Sequence, residues 1–352
     1  LVRLVALGGF GRLGPRVAAF VRDERLQRIF SFQALYAGVP PDRALAAYGV
    51  IAYMDTVGGV FFPRGGMRRV ATALADAATA AGAEIVYRRT VTGLVRSGGR
   101  VSAVRHAEAD ADGDSEVLRC DGVVLTPDLP VVHRLLGRAP RRPVPLRFSP
   151  SAVVLHAGLR TPRRESAHHT ISFGAAWQRT FREVITDGRL MSDPSLLVTR
   201  PTVTDPGLAP PGRDLLFVLA PCPNTDRGRL DWARVGPAYR DELLAELDRR
   251  AHPGLSGLSA DVEISRLVTP ADWAAQGMAA GTPFSVAHTL AQTGPFRPRN
   301  TVRGLDNVAL AGCGTTPGVG IPPVLISGRL AAQRLTGAKR PVARARRVPT
   351  AG

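Results

Sequence analysis

The sequence predicts an α/β fold with α+β insertions, and three observations carry that prediction. Between residues 65 and 125 a helix with one apolar face, closed by a glycine, runs directly into short β-rich segments. Strand-like runs between 152 and 268 stand far apart in the chain, as in a mixed or antiparallel sheet. Near the C-terminus an apolar strand, a glycine-rich loop and a helix follow one another over 308–335. A chain of 352 residues has room for about two to three such domains.

Taken in order, residues 1–53 read as helical. Val17, Phe20 and Val21 share one face, and Leu26, Ile29 and Phe30 another. Phe32, Leu35 and Tyr36 extend an apolar patch, a second helix is expected around 44–54, and residues 60–62 form a short strand ended by Pro63. Gly65 and Gly66 then open a helix that places Met67, Val70, Ala71, Leu74 and Ala78 on one face and stops at Gly82. Strands are expected at 84–87, 90–95, 100–106 and 121–125, with an acidic turn over 108–116. The middle of the chain offers strands at 152–159, 195–199, 215–219 and 262–268. Helices are expected at 175–186 and 237–250; in the second, Tyr239, Leu243 and Leu247 form a stripe and Glu246 sits four before Arg250. A strand at 308–311 and a helix at 324–335 close the fold, and the basic stretch 339–352 is expected to be disordered.

The formal net charge is +17, and Lys339 is the single lysine, so nearly all the positive charge is arginine. Such a skew reads first as a solvated arginine surface. No zinc-finger, helix-turn-helix or ribonucleoprotein pattern accompanies it, which argues against nucleic acid; an anionic membrane surface suits it better. Cys120, Cys222 and Cys313 are odd in number and scattered, which fits a reducing cytoplasm without disulfides or a structural metal. The adjacent histidines 168 and 169 would point to opposite faces of a strand and could not share a metal.

Two loops are rich in glycine. Gly9-Phe-Gly11-Arg-Leu-Gly14 matches GxGxxG, but about 20 residues on stands Gln33-Ala-Leu-Tyr36 in place of the acidic strand end that a dinucleotide site needs. It reads as a loop before a helix starting at Pro15. Gly312-Cys-Gly-Thr-Thr-Pro-Gly-Val-Gly320 does follow an apolar strand and precede a helix, with Pro322 and Pro323 in the first turn, where missing N–H groups cost little. Its glycines allow close backbone approach to a ligand, and a helix N-terminus suits a phosphate or a carbonyl oxygen. A tight structural turn is the competing reading.

Residues 307–321, Asn-Val-Ala-Leu-Ala-Gly-Cys-Gly-Thr-Thr-Pro-Gly-Val-Gly-Ile, resemble the C-terminal signature of the bacterial-type phytoene desaturases, FAD-dependent carotenoid desaturases. Ala309 departs from the usual aromatic or valine at a strand position. Residues 30–38, 59–67, 128–130 and 293–296 resemble further segments of that family in the same order. The resemblance implies a partial Rossmann-like FAD domain with an inserted mixed-sheet substrate domain. The expected divisions are 1–62 and 138–300 for the substrate domain, 63–137 and 301–338 for the FAD domain, and a tail at 339–352. It implies FAD as cofactor, with Val91 offering a backbone contact near the adenine. Gly312, Gly314, Thr315, Gly318, Val319, Gly320 and Ile321 would lie along the flavin and ribityl chain. The ribose-binding βαβ would precede Leu1, which implies an N-terminally truncated chain. Phe30, Phe32, Leu35, Tyr36, Phe61 and Phe62 are candidates to line a channel for a long apolar polyene, with core packing the alternative for each. A cytoplasmic enzyme peripheral to the inner face of the cell membrane is expected. The rival readings are a carotenoid isomerase or desaturase of a modified carotenoid, a non-catalytic apolar-ligand-binding or membrane-associated remnant that never binds FAD, and a nicotinamide enzyme using Gly9–Gly14.

Overall fold

The computed structural model describes residues 2–109 and 115–338, the side chains of Leu4, Leu35 and Tyr36 excepted; the acidic turn lies partly, and the basic tail wholly, outside the described residues. The chain divides into two compact units, one of residues 1–87 with 140–296 and one of 88–139 with 297–352. The helix of the 65–82 region falls in the first unit, whereas the expected division began at 63.

Strands, in chain order, are β1 (Arg89–Ser97), β2 (Arg100–Glu108), β3 (Glu116–Arg119), β4 (Val123–Leu125), β5 (Ser151–Leu159), β6 (His169–Ser172), β7 (Leu196–Thr199), β8 (Asp214–Cys222), β9 (Val262–Val268), β10 (Thr301–Val302) and β11 (Leu305–Leu310). The first unit is built on one five-stranded sheet of order β6-β7-β8-β5-β9. Every pairing in it is antiparallel, so of the two arrangements open in the sequence this is the one found. Alternate residues of β5 and β8 point inward, and Leu155, Leu216 and Val218 are wholly buried. The Trp232–Arg250 helix covers them with Tyr239, Leu243 and Leu247. It begins five residues before the expected start because Asp231 caps it, accepting from the Arg234 N–H at 3.3 Å, which leaves Pro237 in the second turn. Glu246 meets Arg250 at 2.6 Å as the i,i+4 spacing requires.

Short helices over 2–53 pack a second core of Leu13, Ala34, Val39, Ala44, Trp177 and Phe181. The Arg68–Ala80 helix forms as the pattern predicts, and Gly82 follows it at φ +91°. Two expected strands are not formed. Residues 60–62 and 84–87 carry strand-like side chains but no ladder; Ile85, Val86 and Tyr87 are 38, 59 and 74% exposed. A strand exists only where an edge accepts its backbone bonds, and no described segment pairs with either run.

The second unit holds two three-stranded sheets, β1-β2-β3 and β10-β11-β4. Strand β11 runs parallel to β4, with Val308 opposite Val123 and Leu310 opposite Leu125. Its core is Val101, Leu125, Val132, Leu136, Leu305 and Val308. The Leu129–Leu135 helix, not foreseen in the sequence, is capped by Asp128 and supplies Val132 to that core.

Candidate functional site

Strand β11 carries the chain to Gly312, where Ala311 donates its N–H to Leu125 O at 3.1 Å and the pairing with β4 ends. Gly312 turns at φ +121°, and a Cβ there would stand 3.3 Å from Thr126 O. Its N–H donates to Ser327 Oγ at 2.9 Å, and that wholly buried hydroxyl donates to Val324 O at 2.7 Å. The start of the loop is thereby fastened to the Ile321–Thr336 helix behind it. Gly312 O accepts from Thr315 Oγ1 at 3.1 Å, closing the first turn. Gly318 and Gly320 follow at φ +151° and +106°, conformations an L side chain rarely adopts.

The inner side of the loop is held by residues that the sequence did not single out. Arg297, 2% exposed, donates from Nε to Thr315 O at 3.0 Å and from a terminal guanidinium nitrogen to Cys313 O at 2.5 Å. Asn300 Nδ2 lies 3.0 Å from Leu310 O, 2.9 Å from Thr316 O and 3.3 Å from Thr315 Oγ1. The Thr316 N–H donates to Pro298 O at 3.0 Å. The available signal was the run Phe-Arg-Pro-Arg-Asn over 296–300, next to the Thr-Gly-Pro-Phe segment already noted. Burial first, and then Asp128, pushes the Cys313 thiol above its ordinary range.

Of the candidate cofactor residues, Gly314, Thr315 and Gly318 are buried, Gly312 and Val319 half-buried, and Gly320 and Ile321 exposed. The outward side is backbone and aliphatic, with Ile321 and Leu325 49 and 46% exposed. The helix that follows has no acidic residue, and Pro322 and Pro323 occupy its first turn. A positive helix end with no opposing carboxylate on its own helix, reached over glycines whose backbone a Cβ would strain, fits the carbonyl or phosphate oxygens of a flavin dinucleotide. Val91 is 40% exposed on the other sheet of this unit, paired with His106 just before a slip in register at Gly93.

The GxGxxG match has none of this. A helix, Val2–Ala6, precedes it where a dinucleotide site has a strand. Gly9 O and Gly11 O accept the N–H groups of Ala47 and Ala46, each at 2.9 Å, so this backbone is spent on tying 9–13 to 44–47.

The candidate substrate residues do not converge on one wall. Phe32 packs on the Leu13–Trp177 core and Phe30 caps a helix, half-buried. Phe62 stacks edge-on against His168 at 4.8 Å, and Phe61 is 87% exposed. The side chains of Leu35 and Tyr36 lie outside the described residues. The rings of His168 and His169 touch, 4.6 Å apart, rather than facing apart, because β6 begins only at His169 and strand alternation does not govern the pair. No group of side chains that could hold a metal occurs among the described residues.

A parallel strand pair delivers a glycine loop to the head of an acid-free helix, the kind of arrangement in which dinucleotides are bound. Residues 4–336 match the family described as flavin containing amine oxidoreductase. The chain is 65% identical to a phytoene dehydrogenase from Streptomyces griseus, over 100% of this chain and 68% of that protein. It is 35% identical to a zeta-carotene-forming phytoene desaturase from Myxococcus xanthus, over 95% of this chain and 64% of that protein. It is also 35% identical to a lycopene-forming phytoene desaturase from a Paracoccus species, over 94% of this chain and 66% of that protein. The chain thus spans about two thirds of the length of these relatives. Among solved structures, an oxidoreductase from Methanosarcina mazei shares the fold at TM-score 0.63 and 15% identity, over 94% of this chain and 71% of that one. The chain belongs to the flavin containing amine oxidoreductases and, within them, to the bacterial-type phytoene desaturases, whose cofactor is FAD.

Proposed function

We propose that the protein is an FAD-dependent desaturase that introduces double bonds into a long apolar carotenoid precursor such as phytoene. The observation that carries this reading is the Gly312–Ile321 loop, with its positive-φ glycines at the head of a helix free of acidic residues. Desaturation breaks two C–H bonds on neighbouring carbons, forming C=C as one hydrogen leaves as hydride and the other as a proton. Bound flavin supplies the hydride acceptor. The chain's own contribution is placement: the loop backbone along the flavin and ribityl chain, and the Val91 backbone toward the adenine. The exposed Phe61 ring offers apolar surface to a polyene that has no polar handle. The test is incubation of the purified, FAD-supplemented protein with phytoene in liposomes; longer-conjugated products are expected, and unchanged phytoene beside bound flavin would reject the substrate.

A cytoplasmic enzyme peripheral to the inner face of the membrane follows from the same chemistry, because the substrate resides in a bilayer and the net charge is +17. Among the described residues, no helix is long and apolar enough to cross a membrane. Co-sedimentation with anionic vesicles should weaken with salt, since exposed charges are screened over about 8–10 Å at physiological ionic strength. Binding that ignores both salt and lipid charge would remove the electrostatic part of the proposal.

A further inference from the structure

We infer that Arg297, bonded to the loop segment that Asn300 also holds, is a positioning residue that sets the peptide orientation of the cofactor loop and thereby the affinity for FAD and the environment of the bound flavin. The inference rests on the reading of Gly312–Ile321 as the flavin-facing loop. Arg297 lies 15 residues before Gly312 and is 2% exposed, an uncommon place for a guanidinium, which is costly to desolvate. It spends two donors on the loop: Nε on Thr315 O at 3.0 Å and a terminal nitrogen on Cys313 O at 2.5 Å. A hydrogen bond from a charged donor is stronger than one from a neutral donor. The fork of donors fixes alternate carbonyls of the loop in one direction, which a point-like ammonium cannot do.

The consequence for the opposite face follows from peptide geometry. A planar trans peptide sends its C=O and the next N–H in opposite directions. With Cys313 O drawn to Arg297, the Gly314 N–H is turned to the other side of the loop. With Thr315 O drawn in as well, the next N–H, that of Thr316, goes to Pro298 O at 3.0 Å. Asn300 holds the same segment from Leu310 O, at the end of β11, to Thr316 O. The loop is thus gripped by its carbonyls from behind, and the backbone conformations of Gly318 and Gly320 are set in a frame that cannot rotate freely. Without the grip, a glycine-rich segment has many conformations to lose on binding a ligand.

The experiment uses the FAD-supplemented protein with Arg297→Ala and Arg297→Lys, read by FAD dissociation constant and by the visible circular dichroism of the bound flavin. The latch predicts affinity lowered roughly 10- to 100-fold in Arg297→Ala, the range expected when charged donors to two carbonyls are lost. The residual flavin should show an altered visible dichroism. Arg297→Lys should recover only part of the affinity, and added guanidinium ion should restore binding to Arg297→Ala. A purely structural role would lower the unfolding midpoint and leave the flavin signal per bound cofactor unchanged. If Arg297→Ala does not fold, Arg297→Lys decides the matter alone: parental affinity and an unaltered spectrum would overturn the latch. A parent that binds no FAD would overturn the flavin reading and this inference with it. A parent that binds FAD beside variants that bind it equally well would overturn the latch only.

Discussion

Replacing Gly320 by alanine, and Gly328 by alanine in the same helix, makes one chemical change with opposite expected consequences. Gly320 is the N-cap of the Ile321–Thr336 helix at φ +106°, ψ 154°. A Cβ added there would meet only Pro323, at 3.6 Å to Cδ, an ordinary contact, so the cost is backbone strain and not a clash. A non-glycine residue held in that region costs of order 1–3 kcal/mol. At Gly328, in the middle of the helix, a Cβ meets nothing within 4 Å. Alanine there should stabilise by about 0.5–1 kcal/mol through helix propensity. The two variants should therefore differ by roughly 1.5–4 kcal/mol in unfolding free energy, measured by urea titration under circular dichroism. FAD titration adds the functional half: the loop can relieve strain only by leaving its conformation, so Gly320→Ala should bind FAD more weakly and Gly328→Ala as tightly as the parent. Two variants of equal stability and equal affinity would refute the assignment of the loop's conformation as the determinant of binding.

Gly11→Val should leave flavin binding intact while costing some stability, because its Cβ would sit 3.0 Å from Gly8 O within the same loop; selective loss of flavin from a folded variant would restore the GxGxxG reading. Asp214→Ala should destabilise by about 3–5 kcal/mol, since it removes the charge partner of Arg200, whose Nε is 2.7 Å from the carboxylate, and the acceptor for the Thr202 hydroxyl and the Arg163 N–H. Burial raises the Asp214 carboxyl, but the Arg163 N–H, Thr202, the Leu215 N–H and Arg200 outweigh it and hold the group below its ordinary range. A depressed folded value means the contribution is full above the unfolded value of about 3.9 and is lost as pH falls through the folded one. The gap between parent and Asp214→Ala should then be constant near neutrality and narrow in acid; a gap that widens in acid would contradict the sign.

Much of the fold was legible because much of it is local. The β9 boundaries agree to the residue, and the Tyr239, Leu243, Leu247 stripe points at the sheet as its spacing required. What failed is what is not local. Residues 84–87 have strand composition, but strand identity belongs to a pair of edges, and this run has no described partner. The Leu129–Leu135 helix has the expected start signals, Asp128 at the cap and Pro130 in the first turn, but at seven residues it is too short for periodicity to show. The strand, loop and helix over 308–335 were readable because glycine has few reasons to cluster after a buried strand. Its latch was not, because an arginine in sequence reads as surface, and only the fold brings Arg297 under the carbonyls of Cys313 and Thr315.

Anaerobic addition of phytoene in liposomes to the flavin-loaded protein asks whether flavin held by this loop oxidises a polyene precursor. Bleaching of the oxidised-flavin band is expected in step with the appearance of a longer-conjugated polyene. Flavin that stays oxidised beside unchanged phytoene would contradict it.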